Sequence, residues 1–460
     1  MTRYLDYLRA KTRDTTSAGI APGAIERFAM FPHQRDLAAW ALRRGRAAIF
    51  AATGLGKTRI QLAWAQRVAE ESGDVLILAP LAVADQTVTE GASIGVQVRH
   101  ARDKSELQPG INIANYERLH RFDPEQFAGV VLDESSIIKH HDARTFSALT
   151  DAFRSTPYKL CATATPAPND WTELGTHAEF LGVRTRAEML SEFFVHDGGE
   201  TQVWRLKGHA RQAFWKWVSS WGALVQTPAD LGHDDTLYRL PQLVIEQHTV
   251  SSSAPIAGQL FAVEAQTLSE RRDARRASLA ERVSACAEIV NASPGPWVVW
   301  CDLNAEGDAL RTAIPDAREI RGSDDIDEKE NRLCAFARGD IRVLVTKPSI
   351  AGFGLNWQHC AQMAFVGVTD SFEAYFQAVR RCWRFGQSKP VRVHIFASEQ
   401  EGSVIANLRR KERDAEAMGA ELARETGAYV RSNIIGFQRE RDSYAASMET
   451  AIPPFLRDAT

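Results

Sequence analysis

The chain has 460 residues, 44% of them hydrophobic, with 55 basic against 58 acidic side chains and a net charge of −3. That length corresponds to about three structural units, and the composition buries several cores, which excludes a disordered or collagen-like chain. No run reaches the roughly 20 apolar residues of a membrane helix, the start Met1-Thr2-Arg3-Tyr4-Leu5-Asp6-Tyr7 has no apolar leader core, and the six cysteines form no CxxC pair, so a cytoplasmic enzyme is expected rather than a membrane protein or disulfide scaffold.

Residues 1–30 read as an N-terminal extension. From 31 to 170, the short apolar runs Ala47–Phe50, Val75–Leu78, Val130–Leu132 and Lys159–Ala162 are each closed by Gly, Pro or acidic residues. After the first run, Ile60, Ala63, Trp64 and Val68 fall at helical spacing. Continuous apolar strands alternating with helices predict a parallel sheet covered on both faces. From 171 to 250 the pattern turns helical and aromatic, with Trp204, Phe214, Trp215, Trp217 and Trp221 expected to form the core of a helical insert. Residues 251–290 read as a helical linker, after a break at Ser251–Pro255. There Arg271, Arg272, Arg275 and Arg276, interleaved with Glu270, Asp273 and Glu281, are expected to form a solvated face. A second α/β unit spans 291–400, with strands at Trp297–Trp300, Ile341–Val345, Met363–Val366 and Val391–Ile395, and 401–460 is a charged helical tail.

Four segments carry chemistry. Ala51-Ala52-Thr53-Gly54-Leu55-Gly56-Lys57-Thr58 follows a strand and opens a helix, the setting of a phosphate-binding loop. Its glycines let backbone N–H groups approach phosphate oxygens at a helix N-terminus. Lys57 would reach the outer phosphates and the Thr58 hydroxyl would ligate Mg²⁺. Val130–Leu132 ends in Asp133 and Glu134, adjacent carboxylates that can divide the work of holding Mg²⁺ and deprotonating water. Thr163 and Thr165 stand just past another strand, where their hydroxyls could relay the state of a bound phosphate. In the second unit, Arg381 and Arg384 are three apart and would share a face if helical, suiting a phosphoryl group whose charge shifts during transfer.

In this order the segments resemble the motifs of superfamily 2 helicases of the Swi/Snf-like branch, from about Phe31 to Arg413. Pro32-His33-Gln34 resembles that family's adenine-reading motif. Leu78-Ala79-Pro80-Leu81 and Ile113-Ala114-Asn115-Tyr116-Glu117 resemble its first-lobe nucleic-acid motifs. Thr346–Trp357 is similar to its "T-K-A-G-G-x-G-L-N" segment, and Arg384-Phe385-Gly386-Gln387 to its "R-I-G-Q". Asp133-Glu134-Ser135-Ser136, with short inserts, resembles compact phage and mobile-element forms. Arg380 stands where the family usually has Gly or Asp, and Trp383 where this branch has His.

The resemblance implies an α/β chain of two RecA-like parallel-sheet lobes with a helical insert after the first lobe, and ATP with Mg²⁺ between the lobes. Gln34, Thr53, Gly54, Leu55, Gly56, Lys57 and Thr58 would bind the nucleotide, Thr58 and Asp133 the metal, and Glu134, Arg381 and Arg384, with Lys57, would carry catalysis. Thr163, Thr165, Gly354, Asn356 and Gln377 would couple the lobes, and Asn115, Tyr116, Thr346 and Lys347 would contact DNA. The implied activity is that of a DNA-dependent ATPase working as a double-stranded DNA translocase or helicase in a bacterial or phage-infected cell. Single-stranded DNA is the alternative track, and a nuclease, methyltransferase or replication protein is the kind of partner implied. An RNA helicase, and an ATP-dependent DNA-binding switch or loading scaffold, are the competing readings.

Overall fold

The computed structural model describes residues 19–80, 83–167, 170–196, 204–251, 273, 275–351, 356–367, 371–398, 410, 427 and 429–436. The first lobe begins with six strands, β1 (Arg46–Ala51), β2 (Val75–Ala79), β3 (Val98–His100), β4 (Ile111–Asn115), β5 (Gly129–Asp133) and β6 (Tyr158–Thr163). Of these, β1, β2, β5 and β6 are the expected apolar runs, whereas β3 and β4 are strands beyond them. A short antiparallel pair, β7 (Phe194–His196) and β8 (Trp204–Leu206), follows, and then β9 (Gly222–Val225). The first sheet has the order β3-β4-β2-β5-β6-β1-β9 and is parallel throughout.

Successive strand residues point to opposite faces, so a run that is apolar at every position needs cover on both. One face, with Ala47, Ile49, Val75, Ile77 and Val131, packs under helices α1 (Pro32–Arg44) and α2 (Lys57–Ser72) and the start of α3 (Ala84–Ser93). The other face, with Ala48, Phe50, Leu76, Leu78, Val130 and Leu132, is covered by α4 (Arg144–Ala152), α5 (Leu174–Phe180), α6 (Arg186–Phe193) and α7 (Arg211–Trp221).

The second lobe repeats the plan. Its strands are β10 (Leu243–Val250), β11 (Trp297–Trp300), β12 (Ala317–Glu319), β13 (Val343–Thr346), β14 (Gln362–Phe365) and β15 (Val391–Ser398). They form a parallel sheet in the order β10-β15-β14-β11-β13-β12. Its helices include α8 (Leu279–Asn291), α9 (Asn304–Ala313), α10 (Ile326–Arg338) and α11 (Phe372–Val379). Trp297 and Val299 pack to one side of β11, and Val298 and Trp300 to the other. The chain is therefore two RecA-like α/β lobes. Among the described residues, no helix is long and apolar enough to cross a membrane.

Two stretches differ from the sequence expectation. Residues 171–250 do contain helices, but their aromatic core is not their own: Phe214, Trp215 and Trp221 share one cluster with Phe50 and Leu132 of the first sheet. The same stretch also donates β9 to the first sheet and β10 to the second. Arg275, expected on a solvated face, is 4% exposed and donates to Asp302 at 2.6 Å. The partner, some 27 residues downstream, is what draws it inward. Arg271, Arg272 and most of the 401–460 tail lie outside the described residues, as does the N-terminal extension up to residue 18.

The second lobe buries an ion pair completely. Arg282 on α8 donates to Glu306 on α9 at 2.7 Å and to Ser278 Oγ at 3.0 Å, with both charged side chains fully shielded from solvent. The other Glu306 oxygen accepts from the backbone N–H groups of Asp302 and Leu303. Arg282→Met would leave this carboxylate buried without its counter-charge, a loss of about 3–5 kcal/mol. Chemical denaturation of the variant should show that loss, and an unchanged midpoint would mean that the pair does not secure α8 to α9.

Candidate active site

In a parallel sheet, all strand carboxyl ends lie on one edge, where α/β proteins place their ligand crevices. Strands β5, β6 and β1 are neighbours. Asp133 and Glu134, Thr163 and Thr165, and the 53–58 loop therefore emerge side by side, although they are far apart in sequence.

The loop after β1 holds Gly54 at φ 93° and Gly56 at φ 81°, in the left-handed region that glycine adopts without strain. Space demands glycine as well. A Cβ on Gly56 would lie 2.0 Å from Gln34 Nε2, and one on Gly54 would lie 2.7 Å from Phe385 Cβ of the second lobe. Lys57 Nζ donates to the Ala51 carbonyl at 2.9 Å and the Ala52 carbonyl at 3.4 Å, so its ammonium sits over the loop. Burial lowers its pKa, and Glu134 and Asp133 oppose that shift. Gln34 spends both ends of its amide inside the protein: Nε2 donates to Leu55 O at 3.1 Å, and Oε1 accepts from Phe31 N at 3.0 Å. The observed role of Gln34 is to tie the start of α1 to the loop.

Asp133 accepts from Gln61 Nε2 at 2.6 Å, and its carbonyl accepts from the Tyr116 hydroxyl at 2.8 Å. Burial and the adjacent Glu134 push its pKa up to about 6, against the pull of Gln61 and Lys57. Glu134 has φ 53° and ψ 54°, the one positive φ outside glycine among the described residues. Strain of this kind costs about 1–3 kcal/mol and persists where surrounding structure imposes it. Here it turns the carboxylate toward Thr163, whose Oγ1 donates to Glu134 Oε2 at 3.4 Å.

From that contact a run of hydrogen bonds crosses the lobe boundary. Thr165 N donates to Thr163 Oγ1 at 3.1 Å, Gln377 Nε2 of α11 donates to Thr165 Oγ1 at 3.1 Å, and Arg381 Nε donates to Gln377 O at 3.1 Å. Arg381 and Arg384 do not sit on a helix as expected, because α11 ends at Val379 and the chain turns through Gly386 at φ 89°. Both still face one cavity of about 430 Å³, within the usual range for ligand sites. Thr53, Gly54, Gly56, Lys57, Thr58, Asp133 and Glu134 line it from the first lobe, and Asn356, Gln358, Arg381, Arg384 and Phe385 from the second. Burial lowers the pKa of both arginines, and for Arg384 the neighbouring Arg381 adds to the effect. Both remain charged at neutral pH. Arg384 Nε and Asn356 Oδ1 are buried without a hydrogen-bond partner, the condition of groups that a polar ligand would satisfy.

Three of the four expected DNA contacts are interior. Asn115 is 0% exposed at the end of β4. Tyr116 is buried and bonded to Asp133, and Thr346 is buried with Oγ1 donating to Ile320 O at 3.3 Å. Tyr116 and Thr346 tie neighbouring sheet ends together, although the Tyr116 side chain also lines a groove between the lobes, whereas the buried Asn115 amide has no hydrogen-bond partner. Lys347 is half-buried, and Gly354 lies outside the described residues. Sequence reasoning missed an aromatic group at the cleft mouth. Tyr238 stacks on Phe385 at 4.7 Å, with Phe31 edge-on to both. Phe385 lies inside a quoted motif, but Tyr238 stands in a connection with no local signal.

No family model matches the chain, and no curated protein matches it. Among solved structures it is similar to the Sulfolobus solfataricus SWI2/SNF2 ATPase core in complex with dsDNA, at 16% identity and a TM-score of 0.41, covering 89% of this chain and 97% of that one.

Gly56→Ala combines a left-handed alanine, at about 1–2 kcal/mol, with the Gln34 clash. It should lower the melting temperature, and adding Gln34→Ala should recover only the clash part. Full recovery in the double variant would show that backbone strain is not what requires glycine there.

Proposed function

We propose that the chain is a DNA-stimulated ATPase that hydrolyses ATP between its lobes and uses the cycle to move along double-stranded DNA. The ATPase half is supported by one observation: the glycine loop, the Asp133–Glu134 pair and the two arginines line a single cavity drawn from both lobes.

The residues fit a triphosphate. Two glycines leave the cradle open where a Cβ would fill it, the loop amides and α2 N-terminus offer donors and a positive dipole end, and Lys57 stands ready to exchange carbonyl partners for phosphate oxygens. Thr58 and Asp133 provide the hard oxygen ligands that suit Mg²⁺, which when bound would neutralise phosphate charge. Glu134 is the general base that takes a proton from the attacking water, and its link to Thr163 fixes its aim. Arg381 and Arg384 stabilise the charge on the phosphoryl group in transit, a contribution of roughly 10³–10⁵ in rate for an arginine finger. They come from the opposite lobe, so turnover requires the lobes to abut.

The DNA half is supported by the order of the second-lobe segments, Thr346–Trp357 and Arg384–Gln387, which resemble a branch that moves on duplex DNA. A second groove between the lobes, whose lining includes Tyr116, Glu117, Glu134, Lys139, Lys329, Ser349 and Glu373, is the proposed track. Binding there would be held at phosphates, and so be salt-dependent and weakly sequence-specific.

ATP hydrolysis measured without nucleic acid and with blunt duplex DNA, single-stranded DNA or single-stranded RNA should rise most with the duplex; a preference for RNA would favour an RNA helicase. Glu134→Gln should keep ATP binding and lose roughly 10²–10⁴ in turnover, and Arg381→Ala should lose at least as much. Near-wild-type turnover in either variant would remove the role given to that residue. Because the Asp133 pKa is raised to about 6, the carboxylate is protonated below that pH and ionised above it. Turnover should therefore fall on the acid side of about pH 6, and more Mg²⁺ should move that limb to lower pH as metal competes with the proton.

A further inference from the structure

Away from the nucleotide cleft, three chemically suited side chains converge on one face of the second sheet. Glu246 and His248 alternate along β10, so they share a face. His394 on β15 is in register with Glu246. One ligand-capable atom of each lies within 4.8 Å of the other two. His394 Nδ1 is 3.0 Å from His248 Nε2 and 3.5 Å from Glu246 Oε2.

A single proton on His394 Nδ1 serves only one of these contacts well. If His248 donates to Nδ1, the nitrogen lone pair faces the carboxylate oxygen; if Nδ1 donates, two acceptors compete for one hydrogen. A cation among the three atoms makes every contact attractive. The spacing supports this. Ligands bound at 2.0–2.1 Å in a tetrahedron stand about 3.3 Å apart, and the two measured separations bracket that value.

The surroundings hold the three groups in place. The other Glu246 oxygen accepts from Arg392 at 2.7 Å, leaving Oε2 for the cluster, as an outer partner orients a metal-bound carboxylate. The His248 ring stacks on Phe396 at 4.7 Å and the His394 ring packs against Trp297 at 5.3 Å, so packing sets both imidazole directions. His394 is buried, while His248 and Glu246 are half-buried, which gives an ion a route from solvent.

We propose that Glu246, His248 and His394 form a binding site for a first-row transition-metal dication of the zinc class that staples β10 to β15. Two imidazoles and a carboxylate are borderline ligands that select such ions over Mg²⁺ or Ca²⁺. β10 is the edge strand of its sheet and the first element of the second lobe after the connection from the first. The staple would fix the point where that connection enters the lobe. It does not depend on the nucleotide reading.

The test uses the full chain freed of metal by a chelator and titrated with Zn²⁺ alone. Calorimetry should show one equivalent bound at micromolar affinity or tighter, with a higher melting temperature in the bound state. Glu246→Gln, which keeps side-chain shape, and His248→Ala should each weaken binding at least tenfold and abolish the thermal shift. Their metal-free melting temperatures and ATP hydrolysis should stay near wild type, and circular dichroism shows that each is folded. Co²⁺ in place of Zn²⁺ should give visible d–d bands without a thiolate charge-transfer band, which separates this site from the cysteines. Unchanged Zn²⁺ affinity in the folded Glu246→Gln variant, no binding by wild type, or a thiolate band would each overturn the assignment.

Discussion

The cleft depends on the parallel, adjacent placement of β5, β6 and β1. In register, Asp133 stands opposite Ala162 and Phe50 opposite Thr163. Neighbouring strands are about 4.8 Å apart, so three strand ends bring the glycine loop, the two carboxylates and the threonine hydroxyls within reach of one small ligand. A slip of one residue in β5 would turn Asp133 to the opposite face. The unbroken apolar character of these strands, buried on both sides, makes such a slip cost packing at every position. The hydrophobic layers thus fix where the charges stand.

Electrostatics then ties the two lobes together. Asp133 and Glu134 are adjacent acids in a partly dehydrated cleft, and the raised pKa of Asp133 reflects that pressure. Lys57 is the first lobe's own counter-charge. Arg381 and Arg384 are the second lobe's, themselves close enough to repel one another, and Arg381 is almost fully buried. Carboxylates and guanidinium groups each relieve the other's burial only when the lobes abut. Lys139 with Glu373, and Arg118 with Asp327 at 2.8 Å, extend the same principle along the boundary.

Much of this was legible because period and punctuation survive in the sequence. Strands β1, β2, β5 and β6 of the first lobe and β11, β13, β14 and β15 of the second read as short apolar runs, whereas the three-residue β3 and β12, and β4, did not. The 53–58 loop read as a glycine-rich turn between a strand and a helix. What escaped has physical reasons. β10 alternates exposed and half-buried residues at a sheet edge, so it lacks the apolar signature of its neighbours. β9 follows α7 with only Gly222 as punctuation. Asn115 and Thr346 are polar residues at strand ends, a pattern that looks like surface, but layers of structure beyond the sheet edge enclose them. The left-handed turn at Glu134 leaves no compositional mark, since a glutamate there is unusual rather than diagnostic. Glu246, His248 and His394 are joined only by strand order, which no local pattern carries.

The path from Glu134 to Arg381 shows why hydroxyl and amide groups occupy the lobe boundary. A threonine hydroxyl donates and accepts at once, and Thr163 does both, toward Glu134 and from Thr165 N. Thr165 offers its own oxygen to Gln377 Nε2, while the Gln377 carbonyl holds Arg381 Nε. Gln377 therefore touches the first lobe with its side chain and positions the arginine with its backbone. Any movement of the second lobe that withdraws Gln377 from Thr165 also withdraws Arg381 from the cleft and frees the hydroxyl of Thr165, the residue whose backbone N–H steadies Thr163 beside Glu134. In the proposed cycle, one displacement withdraws the arginine and loosens the hydroxyl next to the base, so chemistry and lobe position report on each other through a bond between two neutral groups, Gln377 Nε2 and Thr165 Oγ1, that needs no change of charge to form or break.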